Sequence, residues 1–167
     1  MEVTYKTIGV IRSEFKRKDC TPIQSVFSKA RGTVELFPEY ADGLKDIEGF
    51  SHLYLIYHFD QAESCSITHK PFLDGSRERG IFAIRHFNRP NPIGLSIVEL
   101  AGVRGNVLEI AGVDILDGTP VLDIKPYVRQ FDVRENVRSG WVDERRVEFM
   151  DVKSFTPGDL SERKTRS

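Results

Sequence analysis

Cys20 and Cys65 are the chain's two cysteines, and neither stands in a CxxC or Cys/His spacing. That scarcity gives little support to a disulfide framework or a zinc site, so both are expected to be reduced thiols and no metal is expected. Long hydrophobic runs are missing too. No stretch of about 18 apolar residues could cross a bilayer as a helix, and no basic-then-apolar leader opens the sequence. A cytoplasmic protein with no membrane contact is the expectation. Charge of one sign is likewise absent, with 24 basic residues against 25 acidic ones and a net charge of −1. This balance lacks the strongly positive field of a dedicated nucleic-acid binder, so any contact with RNA must use a local patch. No internal repeat is present, and no strand runs into GxGxxG at the head of a helix, which removes the ordinary Rossmann-type site.

What remains fits one domain of 167 residues, long enough to bury a core without staples. Runs rich in Val, Ile, Tyr and Phe, separated by turn residues, predict seven strands at 3–11, 32–37, 52–59, 80–86, 95–103, 107–116 and 121–127. Seven strands suggest a barrel or sandwich. Gly105-Asn106 and Asp117-Gly118 sit between apolar runs and tolerate positive φ, so residues 95–127 read as a meander. Residues 40–47 predict a short helix. Beyond Phe131 the chain is charge-rich and 161–167 read as a frayed or disordered tail, while Trp141 and Phe149 argue for packing ahead of it.

Strand logic fails at a few places, and these carry the chemistry. Residues 85–95 interrupt a good strand with Pro90 and Pro92 between Arg85, Arg89 and Asn91. Each proline fixes its own φ and pushes the residue before it into extended conformations, so the loop is stiff. It is either a rigid surface turn with solvated arginines or a platform presenting side chains to a ligand. Asp117 in its Asp-Gly turn either steadies its own loop or accepts ribose hydroxyls. Asp123 alternates with Leu122 and Ile124, which sets it beside Lys125 on one strand face, as an exposed ion pair or as a polar pocket lining. His58 ends an alternating strand beside aromatics, as a packing residue or a ligand contact. Near the start, Arg12 could meet a carboxylate or phosphate, and Gln24 offers both a donor and an acceptor.

Five segments occur in order: GVIRS at 9–13, PIQ at 22–24, EGFSHLYLIYHF at 48–59, RGIFAIRHFNRPNPIGLSIVEL at 79–100 and DGTPVLDIKPY at 117–127. Together they resemble the TsaA-like family, also called TrmO, the tRNA N6-threonylcarbamoyladenosine methyltransferases. The resemblance implies a mainly β, seven-stranded β-barrel-like, non-Rossmann methyltransferase domain over 1–130 with a few short helices. Residues 131–167 would be a C-terminal extension. It also implies a homodimer with S-adenosyl-L-methionine bound near the subunit interface. By motif matching, the cofactor contacts fall on Pro22, Ile23, Gln24, His58, Phe59, Arg85, Leu95, Asp117, Gly118, Thr119 and Pro120.

Leu95 and Phe59 would wall an adenine slot, Asp117 would accept ribose hydroxyls and Arg85 would meet the cofactor carboxylate. Arg89, Asn91 and Lys125 are expected on the substrate side, facing a tRNA anticodon stem-loop modified at position 37. A basic strip of Arg85, Arg89, Lys125 and Arg129 would supply the local patch. Methyl transfer from a sulfonium is an in-line displacement, and the target N–H needs its proton removed, so a general base is expected. The candidates are Asp123, Asp117, His58 and Tyr127, with Asp123 and Tyr127 put forward as catalytic. Bacterial relatives carry an additional C-terminal domain, where this chain has about 40 residues after Tyr127, so RNA docking is expected to be organised differently. Two other functions compete: a non-catalytic dimeric sensor of an adenosine ligand, and a methyltransferase of small metabolites.

Overall fold

The structure, a computed structural model, describes residues 1–144; Phe149 and the tail expected at 161–167 lie outside the described residues. Eight strands form: β1 Gly9–Ser13, β2 Arg31–Leu36, β3 His52–His58, β4 Thr68–His69, β5 Arg79–Gly80, β6 Ile93–Arg104, β7 Val107–Ala111 and β8 Pro120–Pro126. Six of them close a barrel in the order β1-β2-β7-β6-β3-β8, every pairing antiparallel, while β4 and β5 make a separate two-stranded ribbon. The mainly β, barrel-like expectation therefore holds with six barrel strands rather than seven.

The strand expected at 80–86 is the difference. Only Arg79–Gly80 pairs, and Ile81–Ala83 is a turn of 3-10 helix. Ile81, Ile84 and His86 are the buried members of this run, and the step of three from Ile81 to Ile84 spans the 3-10 turn, where a strand would keep a two-residue period. The helix expected at 40–47 is also of the 3-10 kind, Pro38–Leu44, and it buries Leu44. The first strand begins at Gly9 rather than Val3, and the sixth expected strand stops at Ala111.

β6 and β7 form a hairpin in which Arg104 faces Val107 and Gly105 has φ +60°, the positive angle a two-residue turn requires. The meander stops there, since β8 leaves β7 to pair with β3 and β1. Gly118, at φ +85°, makes the turn before β8.

Alternation along β3 and β6 divides inside from outside. Leu53, Leu55 and Tyr57 of β3 and Val98 of β6 join Ile11, Val34, Leu108, Ile110 and Val121 in the barrel interior. Ile93, Leu95 and Ile97 of β6 stay 38%, 54% and 40% exposed on the outer wall. Among the described residues no helix is long and apolar enough to cross a membrane. Cys20 and Cys65 are exposed free thiols.

Candidate functional site

The outer wall of β3 and β6 floors an open cleft of about 1360 Å³, with His52, Tyr54, Leu95, Ile97 and Glu99 among its lining. The loop between β1 and β2 contributes Ile23 and Gln24 to it, and the chain around the Ile81–Ala83 turn contributes Phe82 and Arg85. Arg85 reaches across: its guanidinium donates to Gln24 Oε1 at 2.6 Å. It has no carboxylate partner among the described residues. A guanidinium so placed keeps donors for a ligand carboxylate or phosphate.

Behind this point lies a polar chain inside an otherwise apolar barrel. Ser96 Oγ donates to Asp114 Oδ1 at 2.7 Å, and the Tyr57 hydroxyl is 3.0 Å from the same Ser96 Oγ. Burial pushes the Asp114 carboxyl up to about 6, against the opposing pull of the Ser96 hydrogen bond, backbone amides and the nearby Arg85 charge. Burial, seconded by the Asp114 charge, likewise raises the Tyr57 phenol. Ser96 lines the cleft, whereas Asp114 and Tyr57 line a second, small cavity of about 60 Å³ together with Phe59 and Thr119. Ser96 and Asp114 thus bridge the two spaces. The sequence reading missed Asp114; its signal is an acid standing alone between Val113 and Ile115, both buried.

The expected site residues divide by position. Ile23, Gln24, Arg85 and Leu95 come together in the cleft, with Pro22 next to Ile23 in the chain. Phe59 and Thr119 line the small cavity instead. His58 ends β3 opposite Ile93 and lines neither space. Asp117 accepts from the Ser13 amide at 3.2 Å and pairs with Lys16 at 2.6 Å, and that lysine holds its carboxyl below the usual range. Gly118 donates to the Ile11 carbonyl, and Pro120 opens β8 opposite Val10.

Asp123 and Lys125 do share a face, where they form an ion pair at 2.7 Å. Tyr127 packs on Tyr54 and His52 with ring centroids 5.7 and 6.3 Å away, one layer behind the cleft lining. Arg89 donates to the Ile84 carbonyl, bracing the proline loop, and Asn91 is exposed. Under that loop, buried His86 stacks with Phe72 and Phe87 and lies 3.9 Å from the His69 ring. Burial, helped by neighbouring positive charge, pushes His86 down to about 4. Among the described residues no group of three His, Cys, Asp or Glu side chains could hold a metal ion.

Comparison with known proteins adds the following. Residues 10–133 match the tRNA-methyltransferase O N-terminal domain. A probable S-adenosyl-L-methionine-binding protein of Pyrococcus abyssi is 54% identical over 142 residues, which cover 84% of this chain and 77% of that protein. The tRNA (adenine(37)-N6)-methyltransferase of Escherichia coli K12 is 40% identical over 134 residues, 74% of this chain and 57% of that one. A crystal structure of TrmO superposes with a TM-score of 0.74 at 40% identity, over 84% of this chain and 64% of that chain. The chain therefore spans little more than half of the Escherichia coli protein and just under two thirds of the solved one.

Proposed function

The chain belongs to the family of the tRNA-methyltransferase O N-terminal domain, and on that premise we propose that it is an S-adenosyl-L-methionine-dependent methyltransferase. Its proposed target is N6 of the adenine at position 37 of tRNA, in the threonylcarbamoylated form. The observation that carries this reading is the convergence of Ile23, Gln24, Arg85 and Leu95, from three separate stretches of chain, on one cleft.

The cleft suits the cofactor. Leu95 and Ile97 offer exposed apolar surface for a purine, and Arg85 is a guanidinium without an acidic partner among the described residues, available for the methionyl carboxylate. The bound cofactor supplies an electrophilic methyl on a sulfonium. Gln24 fixes the direction of Arg85 by accepting one of its hydrogen bonds, so the carboxylate end is gripped in one orientation.

As the new N–C bond forms, the N6 proton must leave. Asp114 is mostly ionised at neutral pH and is joined to the cleft through Ser96, so the pair can draw that proton inward. Asp123 and Asp117, by contrast, are committed to Lys125 and Lys16. The homodimer belongs to the same proposal: exposed Ile93, at the end of the β6 strip and outside the cleft lining, would meet a second copy of the chain.

The deciding experiment incubates the full chain with methyl-labelled cofactor and total tRNA, then profiles the nucleosides by mass spectrometry. Label in N6-methylated threonylcarbamoyladenosine is the expected result. Label confined to small metabolites, or cofactor bound with no transfer, would overturn the proposal.

A further inference from the structure

Residues 139–142 lie past the stretch that matches the family, yet Ser139, Trp141 and Val142 line the cleft. They form a 3-10 turn, Gly140–Val142, steadied by the Ser139 amide donating to Asp143 Oδ2 at 2.8 Å. Trp141 is fixed from two directions. Its indole N–H donates to the Ala83 carbonyl at 2.9 Å, and the Arg79 guanidinium lies over its ring, 4.7 Å from the centroid. Arg79 is itself anchored on buried Asp74 at 2.9 Å. An indole clamped in this way loses little freedom when a second flat ring is laid against it.

The surroundings indicate which ring. Phe72 and Phe82 line the same cleft, as do three cations, Lys29, Arg31 and Arg85, against the single carboxylate of Glu99 among the described lining residues. Aromatic faces set among cations are the arrangement that holds an unstacked base with its phosphates, or a nucleoside bearing an acidic tail.

We propose that Trp141 is a stacking platform for an adenine ring in the cleft, a specificity residue supplied from outside the family domain. This rests on the reading that the cleft takes adenosine ligands. The ring has two sources, the cofactor and the target nucleotide, and Arg79 on the indole leaves one face to receive it.

Trp141 is the chain's one tryptophan, so its emission reports on the platform directly. The full chain is titrated with S-adenosylhomocysteine and, separately, with an anticodon-arm RNA, following tryptophan emission and measuring Kd by calorimetry. Quenching is expected with whichever ligand brings the adenine. Trp141→Ala should weaken that ligand about 10- to 100-fold, while Trp141→Phe, which keeps a flat face, should recover most of the loss. Ligands that bind wild type without altering its emission would overturn the platform. So would a Trp141→Phe variant as impaired as Trp141→Ala, since the Ala83 hydrogen bond would then be what matters. A wild-type chain that binds neither ligand would overturn the proposed function and the platform together.

Discussion

The ring of Tyr57 lies across Gly94, filling the space that a β-carbon at position 94 would need. The glycine of the proline-braced motif is thus a packing requirement, and it lets Tyr57 reach Ser96 two residues further along β6. Gly94→Ala should force Tyr57 aside and destabilise the protein by about 1–3 kcal/mol, the usual cost of overpacking a core. Urea midpoints of the two proteins check this, and an unchanged midpoint would refute the steric argument.

Arg85→Ala should weaken S-adenosyl-L-methionine binding about 10- to 100-fold, the scale of a lost charged hydrogen bond. Gln24→Ala should weaken it less, because it removes only the brace on that guanidinium. Calorimetry with both variants tests the order, and undiminished binding by Arg85→Ala would remove the assignment.

Much of this site was readable from the chain, and the reasons differ by residue. Strands β2, β3 and β6 announce themselves because alternation puts Val34, Leu53, Leu55 and Val98 inside and polar or ligand-facing neighbours outside. The segment 80–86 misleads because its apolar content resembles a strand, whereas after Gly80 the chain leaves the ribbon for a tighter turn that buries Ile81. The Asp123 and Lys125 pairing follows from the two-residue period alone. Asp114 carries a local signal, a lone acid between two buried residues, but its role depends on Ser96, 18 positions away across the β6–β7 hairpin, whose irregularity between Leu100 and Gly102 shifts the register. Such a shift has no signature in the residues themselves.

Asp114 should make stability depend on pH. Its carboxyl sits near 6 when folded against an ordinary value of 3.8, so the folded state is favoured while the group is protonated, and that contribution is lost as pH rises from about 4 through 6. The full loss is about 3 kcal/mol. His86, pushed down to about 4, acts oppositely across the same window, losing its contribution as pH falls. Comparing Asp114→Asn with wild type by denaturation at several pH values isolates the carboxyl; identical profiles would contradict its burial.

Asp114, in the loop after β7, and Asp123, on β8, should separate in turnover. Asp114→Asn is expected to reduce methyl transfer about 100-fold or more with cofactor affinity nearly kept, and to abolish the acidic limb of the rate profile. Asp123→Asn, which frees Lys125 from an exposed pair, should alter the rate far less. The reverse ranking in single-turnover assays would move the base to β8.

Light scattering after size exclusion should give twice the chain mass, and Ile93→Asp, which puts a charge on the exposed strip of β6, should give a monomer. A wild-type monomer at high concentration would remove the dimer from the proposal.

Along β6, alternate residues serve different masters: Val98 packs in the barrel, Leu95 and Ile97 face the ligand side, and Ser96 joins the two. A single inserted residue there would transpose the two sets, turning the oily positions of the interior outward and the ligand wall inward. Point substitutions on the outer set leave the interior alone, so new ligands can be explored one side chain at a time. Length changes have no such freedom, and evolution of this wall is therefore confined to exchange of residues, with insertions left to the loops.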